Sequence, residues 1–154
     1  MTKQIINIIT NKDTKLPKRA HSSDACVDLT ASIDESIILY TDEQKLISTG
    51  IKVHIKPSPI NADFNWLLEI TPRSGLANKH GITITNSPGI IDEAYTGIIM
   101  VILKNTKERP FTINPGDRIA QMKLTKSYKF NWHEVDSFVE TVRGAEGFGS
   151  SGIK

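Results

Sequence analysis

The chain has 154 residues, a single cysteine, and 19 basic against 17 acidic side chains, a formal charge of +2. That length makes one domain, large enough to bury about two-thirds of its unfolded surface, and a lone cysteine excludes an internal disulfide framework. Near-balanced charge leaves no electrostatic footprint for nucleic acid or an anionic membrane, and 38% hydrophobic with 23% charged residues is ordinary for a soluble globular protein.

In chain order, the first residues carry no signal-peptide cleavage pattern. The longest apolar run, Ile98 to Leu103, is far short of the ~18 residues of a membrane span. A soluble, cytoplasmic or otherwise intracellular protein is expected, with no membrane and no nucleic-acid partner. Apolar positions are mostly isoleucine and alternate with polar ones, as in Ile51-Lys52-Val53-His54-Ile55 and Ile82-Thr83-Ile84-Thr85. Such alternation marks half-buried strands. Further strands are expected over Gln4–Ile9, Ser36–Tyr40, Lys45–Thr49, Trp66–Thr71, Gly97–Asn105, Phe111–Ile113 and Ile119–Thr125, with turns at Thr49-Gly50, Pro57-Ser58-Pro59, Ser87-Pro88-Gly89 and Asn114-Pro115-Gly116-Asp117. Many short strands at this spacing predict an all-β sandwich, jelly roll or barrel. One short helix is expected from an N-cap at Ser74 to a stop at Gly81.

Five segments could carry chemistry. Thr71-Pro72-Arg73-Ser74-Gly75 opens the helix, where unpaired N–H groups favour an anion; it reads equally as an ordinary cap beside a surface arginine. In Gly89-Ile90-Ile91-Asp92-Glu93-Ala94-Tyr95, a carboxylate behind two isoleucines suits a general base if partly desolvated, or else Asp92-Glu93 are turn residues and Tyr95 is packing. Gln121, in Pro115–Met122, a turn running into a strand, either points an amide into a site or sits on an edge strand in water. Asp28 in Ala25-Cys26-Val27-Asp28-Leu29 has a buried or metal-linked reading beside that of a turn acid, and Cys26 reads as packing. The glycine-rich tail from Arg143, with Phe148 alone among glycines, reads as a frayed end or as a phosphate lid whose aromatic stacks on a base. It lacks the lysine of a Walker A loop, and the four histidines lack metal-ligand spacing.

Together and in this order, these five motifs, from about Lys15 to Gly152, resemble the homotrimeric dUTPases (dUTP diphosphatases). The resemblance implies a jelly-roll-like β domain over residues 1–142 with a flexible lid over 143–154. It implies hydrolysis of dUTP to dUMP and pyrophosphate, with Mg²⁺ on the triphosphate, in a homotrimer whose active sites are shared. Asp92 is the implied catalytic residue, orienting and deprotonating the water that attacks the α-phosphorus. Arg73, Ser74, Gly75 and Gln121 are implied to hold the phosphates, and Asp28 to help place the metal's water shell. A β-hairpin over roughly Ile84 to Met100, with Asn86 at its base and Gly89, Ile91 and Met100 within it, is implied to read uracil through backbone groups, and Tyr95 to lie under the sugar. Arg143, Phe148, Gly149 and Ser150 are implied to close over the nucleotide. Three features depart from the family pattern: Cys26 in place of glycine, Glu146 in place of a tail glycine, and a longer connection over Pro57–Asn65. Within the same fold a dCTP deaminase is the rival enzyme, and a non-catalytic dUTP sensor the rival of another class.

Overall fold

The isoleucine-rich segments pair antiparallel throughout, in two four-stranded sheets and one small ribbon. The computed structural model describes residues 4–145 and residue 147. Its strands are β1 (Ile6–Thr10), β2 (Val27–Thr30), β3 (Ile37–Leu39), β4 (Gln44–Ile55), β5 (Phe64–Thr71), β6 (Ile82–Ile84), β7 (Gly89–Asp92), β8 (Ile98–Asn105), β9 (Phe111–Ile113) and β10 (Arg118–Tyr128), with helix α1 (Ser74–His80) between β5 and β6. One sheet has the order β1-β4-β8-β6, the other β2-β10-β5-β7, and β3 pairs with β9. The result is the expected all-β, jelly-roll-like fold with one short helix.

Alternation puts one face of each sheet into a common core. Ile47, Ile51, Val53 and Ile55 of β4 and Ile99, Val101 and Leu103 of β8 meet Leu29, Leu68, Ile70, Ala120 and Met122 of the other sheet in one cluster. Burial of these side chains contributes on the order of 1.5–3 kcal/mol each.

Gly50 does not end a strand, as the expected turn at Thr49-Gly50 required. It sits inside β4, where Ser48 pairs with Met100 and Lys52 with Ile98. Between those pairs β4 has two more residues than β8. Because the side-chain period is two, such a bulge leaves the buried face unchanged, and odd-numbered residues stay inward on both sides of it. Gly50 takes φ +66°, and a Cβ there would strike the hydroxyls of Thr14 and Ser32. Both demands select glycine.

The helix differs from expectation by one residue: Arg73 is the N-cap and Ser74 the first helical position, with no side-chain cap bond. Its C-terminal stop is as expected, with Gly81 left-handed at φ 65° and its N–H bonded back to the helix. The strands end at Tyr128, short of residue 142, and residues 129–145 run exposed without regular structure.

Buried Asn105 joins β8 to two loops. Its Nδ2 donates to the carbonyls of Leu39 at 3.0 Å and Arg109 at 2.8 Å, and its Oδ1 accepts from the Lys107 N–H at 2.9 Å. Asn105→Leu keeps the volume but strands three polar groups, at about 1–3 kcal/mol each where buried. Two of the three bonds are only part-buried, so the loss comes to about 3 kcal/mol in all. The expected result is a thermal midpoint lower by roughly 6–12 °C, since 1 kcal/mol shifts a chain of this size by about 2–4 °C. A fall below about 2 °C in a melt followed by circular dichroism would show that water replaces the amide.

Candidate active site

Cross-strand register aligns three of the expected site segments. Gln121 lies opposite Asp28 on one side and Thr71 on the other, so β2, β10 and β5 present them in one row. β10 is therefore a central strand, which removes the edge-strand reading of Gln121. Its half-buried side-chain amide donates to the Pro72 carbonyl at 3.0 Å and fixes the chain just before Arg73.

Asp28 is the hub of this row. Its Oδ1 accepts from Arg73 Nε at 2.8 Å, and its Oδ2 from Arg118 Nη1 at 3.2 Å. Arg73 also donates through Nη1 to the Arg118 carbonyl at 3.3 Å. Charge-assisted bonds of this kind hold a guanidinium in one orientation. With two arginines around one carboxylate the cluster keeps a net positive charge, while Ser74 and Gly75 remain exposed at the start of α1. Asp28 borders two clefts. One, of about 350 Å³, is lined by Ala20, Asp24, Ala25, Cys26 and Gln121, and the other, of about 220 Å³, includes Lys15, Lys18, Arg19 and Arg118. Lys18 and Arg19 escaped the sequence reading because no motif marks them and nothing local ties them to Asp28. Cys26 is a free, half-buried thiol on the first cleft.

On the same sheet, Lys123 of β10 bonds Glu69 of β5 at 2.9 Å, directly across the ladder. That hydrogen bond, then the carboxylate's charge, raises the Lys123 ammonium above its ordinary pKa.

Asp92 stands apart from the arginine cluster. It ends β7, which is not among the strands expected from alternation, and lies opposite Leu67 of β5. Thr71, beside Gln121, is four residues further along that strand, about 13 Å at a rise of ~3.3 Å per residue. Within one chain, then, the expected base and the expected phosphate-holding groups are not brought together. Asp92 is exposed rather than desolvated, and among the described residues its carboxylate has no hydrogen-bond or ion-pair partner. Each Asp28 oxygen bonds an arginine; Asp92 is open to a water molecule.

The two arms of the expected hairpin do pair, with Ile84 of β6 opposite Leu103 of β8 and the Thr85 N–H on the Ile102 carbonyl at 3.1 Å, while β7 between them leaves for the other sheet. β7 pairs with β5 in one sheet and β8 with β4 and β6 in the other, so the segment crosses between sheets. Asn86 lies in the exposed turn between β6 and β7, Gly89 is buried against Ile70, and Ile91 is half-buried. The turn after β7 is closed by the Tyr95 N–H on the Asp92 carbonyl at 3.0 Å and by the Tyr95 hydroxyl on the Ile98 carbonyl at 3.0 Å. A Cβ on Gly97 would run into the Tyr95 ring, which is why glycine stands there. Tyr95 and Met100 are partly exposed, at 43% and 37%.

Glu93, read as a turn residue, has more to do. Its Oε2 accepts from the Trp66 N–H at 3.0 Å and from the Ser58 N–H and hydroxyl at 3.3 Å each. Arg143 is exposed, in a turn closed by the Gly144 N–H on the Thr141 carbonyl at 3.0 Å. Phe148, Gly149 and Ser150, with Glu146, lie outside the described residues.

Among the described residues, no group of three or more His, Cys, Asp or Glu side chains is placed to hold a metal ion. Asp28 has both oxygens engaged by arginines and does not fit a direct ligand. Spare lone pairs on those oxygens fit a bond from a metal-bound water. That suits a magnesium ion, which keeps most of its waters and takes phosphate oxygens from the substrate. No helix among the described residues is long and apolar enough to cross a membrane.

The chain is similar to known proteins along nearly its whole length. Residues 12–152 match the family model dUTPase. The deoxyuridine 5'-triphosphate nucleotidohydrolase of Rickettsia felis is 42% identical over 153 residues, 99% of each chain. That of Coxiella burnetii is 44% identical over 137 residues, 89% of this chain and 86% of its own. Among solved structures, a mutant dUTPase of Staphylococcus bacteriophage 80alpha with dUpNHpp superposes with a TM-score of 0.82 at 24% identity, covering 98% of this chain and all of that one. A mutant dUTPase from phage phi11 of S. aureus, which coordinates a structural Mg(II) ion, superposes with a TM-score of 0.73 at 21% identity, covering 88% of this chain and 99% of its own. With the family model matched along nearly its whole length and relatives this similar, the chain belongs to the dUTPase family.

Proposed function

We propose that this chain, a dUTP diphosphatase by family, hydrolyses dUTP to dUMP and pyrophosphate through water activated by Asp92. The water oxygen bonds to the α-phosphorus as the bond to the bridging oxygen of the β-phosphate breaks. Asp92 takes the water's proton, and pyrophosphate leaves. The single observation that carries this reading is the contrast between the two motif aspartates. Asp28 is spent on Arg73 and Arg118, whereas the Asp92 carboxylate has no partner among the described residues. A carboxylate with no guanidinium partner is open to bond an attacking water and take its proton.

Arg73, Ser74, Gly75 and Gln121 hold the phosphate chain, with Asp28 setting the Arg73 guanidinium. Phosphoryl transfer asks for positioning and neutralisation of charge more than for covalent chemistry. Mg²⁺ carried on the triphosphate supplies the rest of that neutralisation. Backbone groups between Asn86 and Met100, including those of Gly89 and Ile91, read uracil; pairing with N3 and C4 rejects cytosine, which would leave polar groups unsatisfied. Tyr95 forms the wall that excludes a ribose 2'-hydroxyl. Arg143, Phe148, Gly149 and Ser150 close over the nucleotide.

The active unit is a homotrimer with shared sites. The separation of Asp92 from Gln121 and Arg73 along β5 supports this, because a second chain must bring the two halves of a site together. So does the run of exposed apolar side chains after β10, with Phe130 at 71% and Trp132 at 89%. Acting among soluble nucleotides inside the cell, the enzyme limits uracil incorporation into DNA and supplies dUMP for dTMP synthesis.

Incubation with dUTP and, separately, with dCTP tests the reading. Pyrophosphate and dUMP from dUTP alone are expected. Ammonia from dCTP would make the chain a deaminase, and binding of dUTP with no product would make it a sensor.

A further inference from the structure

Glu93 follows the proposed base directly, and its carboxylate does something no other described side chain near the site does. The β5–β7 ladder ends at the Leu67–Asp92 pair. One residue beyond it the Trp66 N–H would have no main-chain acceptor, and Glu93 Oε2 takes that place at 3.0 Å. The same oxygen accepts from the N–H and hydroxyl of Ser58, both at 3.3 Å. Ser58 belongs to the extended connection between β4 and β5, which is held at its other end by the Lys129 N–H on the Asp63 carbonyl and by Lys129 Nζ on the Ala62 carbonyl at 3.1 Å. The connection is therefore tied to the residue after β7 and to the residue after β10, the two strands that flank β5.

From these contacts we infer that Glu93 is the positioning residue for Asp92, and that the 57–63 connection serves as its brace. Asp92 is fixed from three directions: the ladder to Leu67, the Tyr95 N–H on its carbonyl, and the Glu93 carboxylate one residue later. Its side chain alone is left free. Removing the third tie lets the end of β7 swing, and the base then meets the water in the wrong place. Loss of alignment at a reacting group lowers the chemical step and leaves substrate binding nearly intact. Glu93 needs only to accept hydrogen bonds here, so its charge is dispensable and its length is not.

The inference rests on Asp92 acting as the base, and the experiment separates the two. Asp92→Asn, Glu93→Ala, Glu93→Asp and Glu93→Gln are compared with the parent for kcat and KM on dUTP, for affinity toward the non-hydrolysable imido analogue of dUTP, and for thermal midpoint, with rates taken well below every midpoint. Glu93→Ala and Glu93→Asp should lose kcat by about ten- to a hundredfold, with KM and analogue affinity within about twofold. Glu93→Gln, which accepts at the same distance, should return kcat to within about threefold of the parent. A merely structural Glu93 would lower the midpoint in Glu93→Ala and leave kcat alone, which overturns the inference. So does a rise in KM at constant kcat, or a Glu93→Gln as slow as the alanine variant. If Glu93→Ala does not fold, Glu93→Asp and Ser58→Ala decide in the same way, and parental kcat in both sinks the idea. An inactive Asp92→Asn beside an unaffected Glu93→Ala removes Glu93 alone; an active Asp92→Asn removes the base assignment and Glu93 with it.

Discussion

Asp92→Asn should bind dUTP about as well as the parent while its turnover falls by roughly two to four orders of magnitude, the usual contribution of a positioned general base. The amide keeps the shape of the side chain and cannot take a proton from water. Because the Asp92 carboxylate has no partner among the described residues, the substitution breaks no contact that the fold depends on. Stability should therefore be unchanged, and the loss should sit in kcat. The same change at Asp28 should behave differently. Asp28→Asn discharges a carboxylate between two guanidinium groups, so Arg73 and Arg118 repel each other and the phosphate-holding row loosens. Steady-state kinetics with analogue titration checks the first expectation, and a turnover within about tenfold of the parent would show that another group activates the water.

Two inactive variants should restore one another when refolded as a mixture. Arg73→Ala lacks a phosphate-holding group, Asp92→Asn lacks the base, and each alone should be nearly dead. Arg73 lies just past the end of β5 whereas Asp92 lies opposite Leu67 near its middle, so on the proposed shared-site trimer a complete site draws them from different chains. In a cyclic trimer refolded from equal amounts, each site has an even chance of an intact Asp92 and, independently, of an intact Arg73. Roughly a quarter of sites should then be complete. Activity near a quarter of the parent's, with mixed trimers seen by mass, is the expected result. If mixed trimers form and no activity returns, both groups of a site come from one chain and the shared-site reading is wrong.

What could be read from the chain alone depended on how local each signal is. Alternation in Ile51–Ile55 and Ile82–Thr85 is a property of neighbouring residues, and both segments are built into strands. The stop at Gly81 is local too, since only glycine takes φ 65° at a helix end without strain. β2 and β7 were not read as strands because each is short and carries an aspartate, a residue depleted in strands, and both are held by pairing with the longer β10 and β5. Around Ile84–Met100, the pairing of β6 with β8 joins segments close in sequence, whereas β7 between them goes to β5 in the other sheet, which no local pattern records.

The candidate site divides along the same line. Its motif residues were legible because residue type and order, Asp28 to Gln121, do not depend on the fold. Their partners were not. Asp28 meets Arg118 across 90 positions of sequence, and Glu93 meets Ser58 across 35. Nothing at Glu93 distinguishes a solvated turn acid from the carboxylate that ends a ladder. Sequence by itself determined the all-β class, the positions of most strands, the helix and its stop, and which side chains stand in the motifs. Tertiary structure decided that Gln121 is central, that Asp28 is bound to arginines while Asp92 is open, and that one chain keeps Asp92 apart from Arg73 and Gln121. The physical reason is that alternation records which face is buried, whereas the neighbour of a strand is fixed only by the long-range pairing that satisfies its backbone and fills the core.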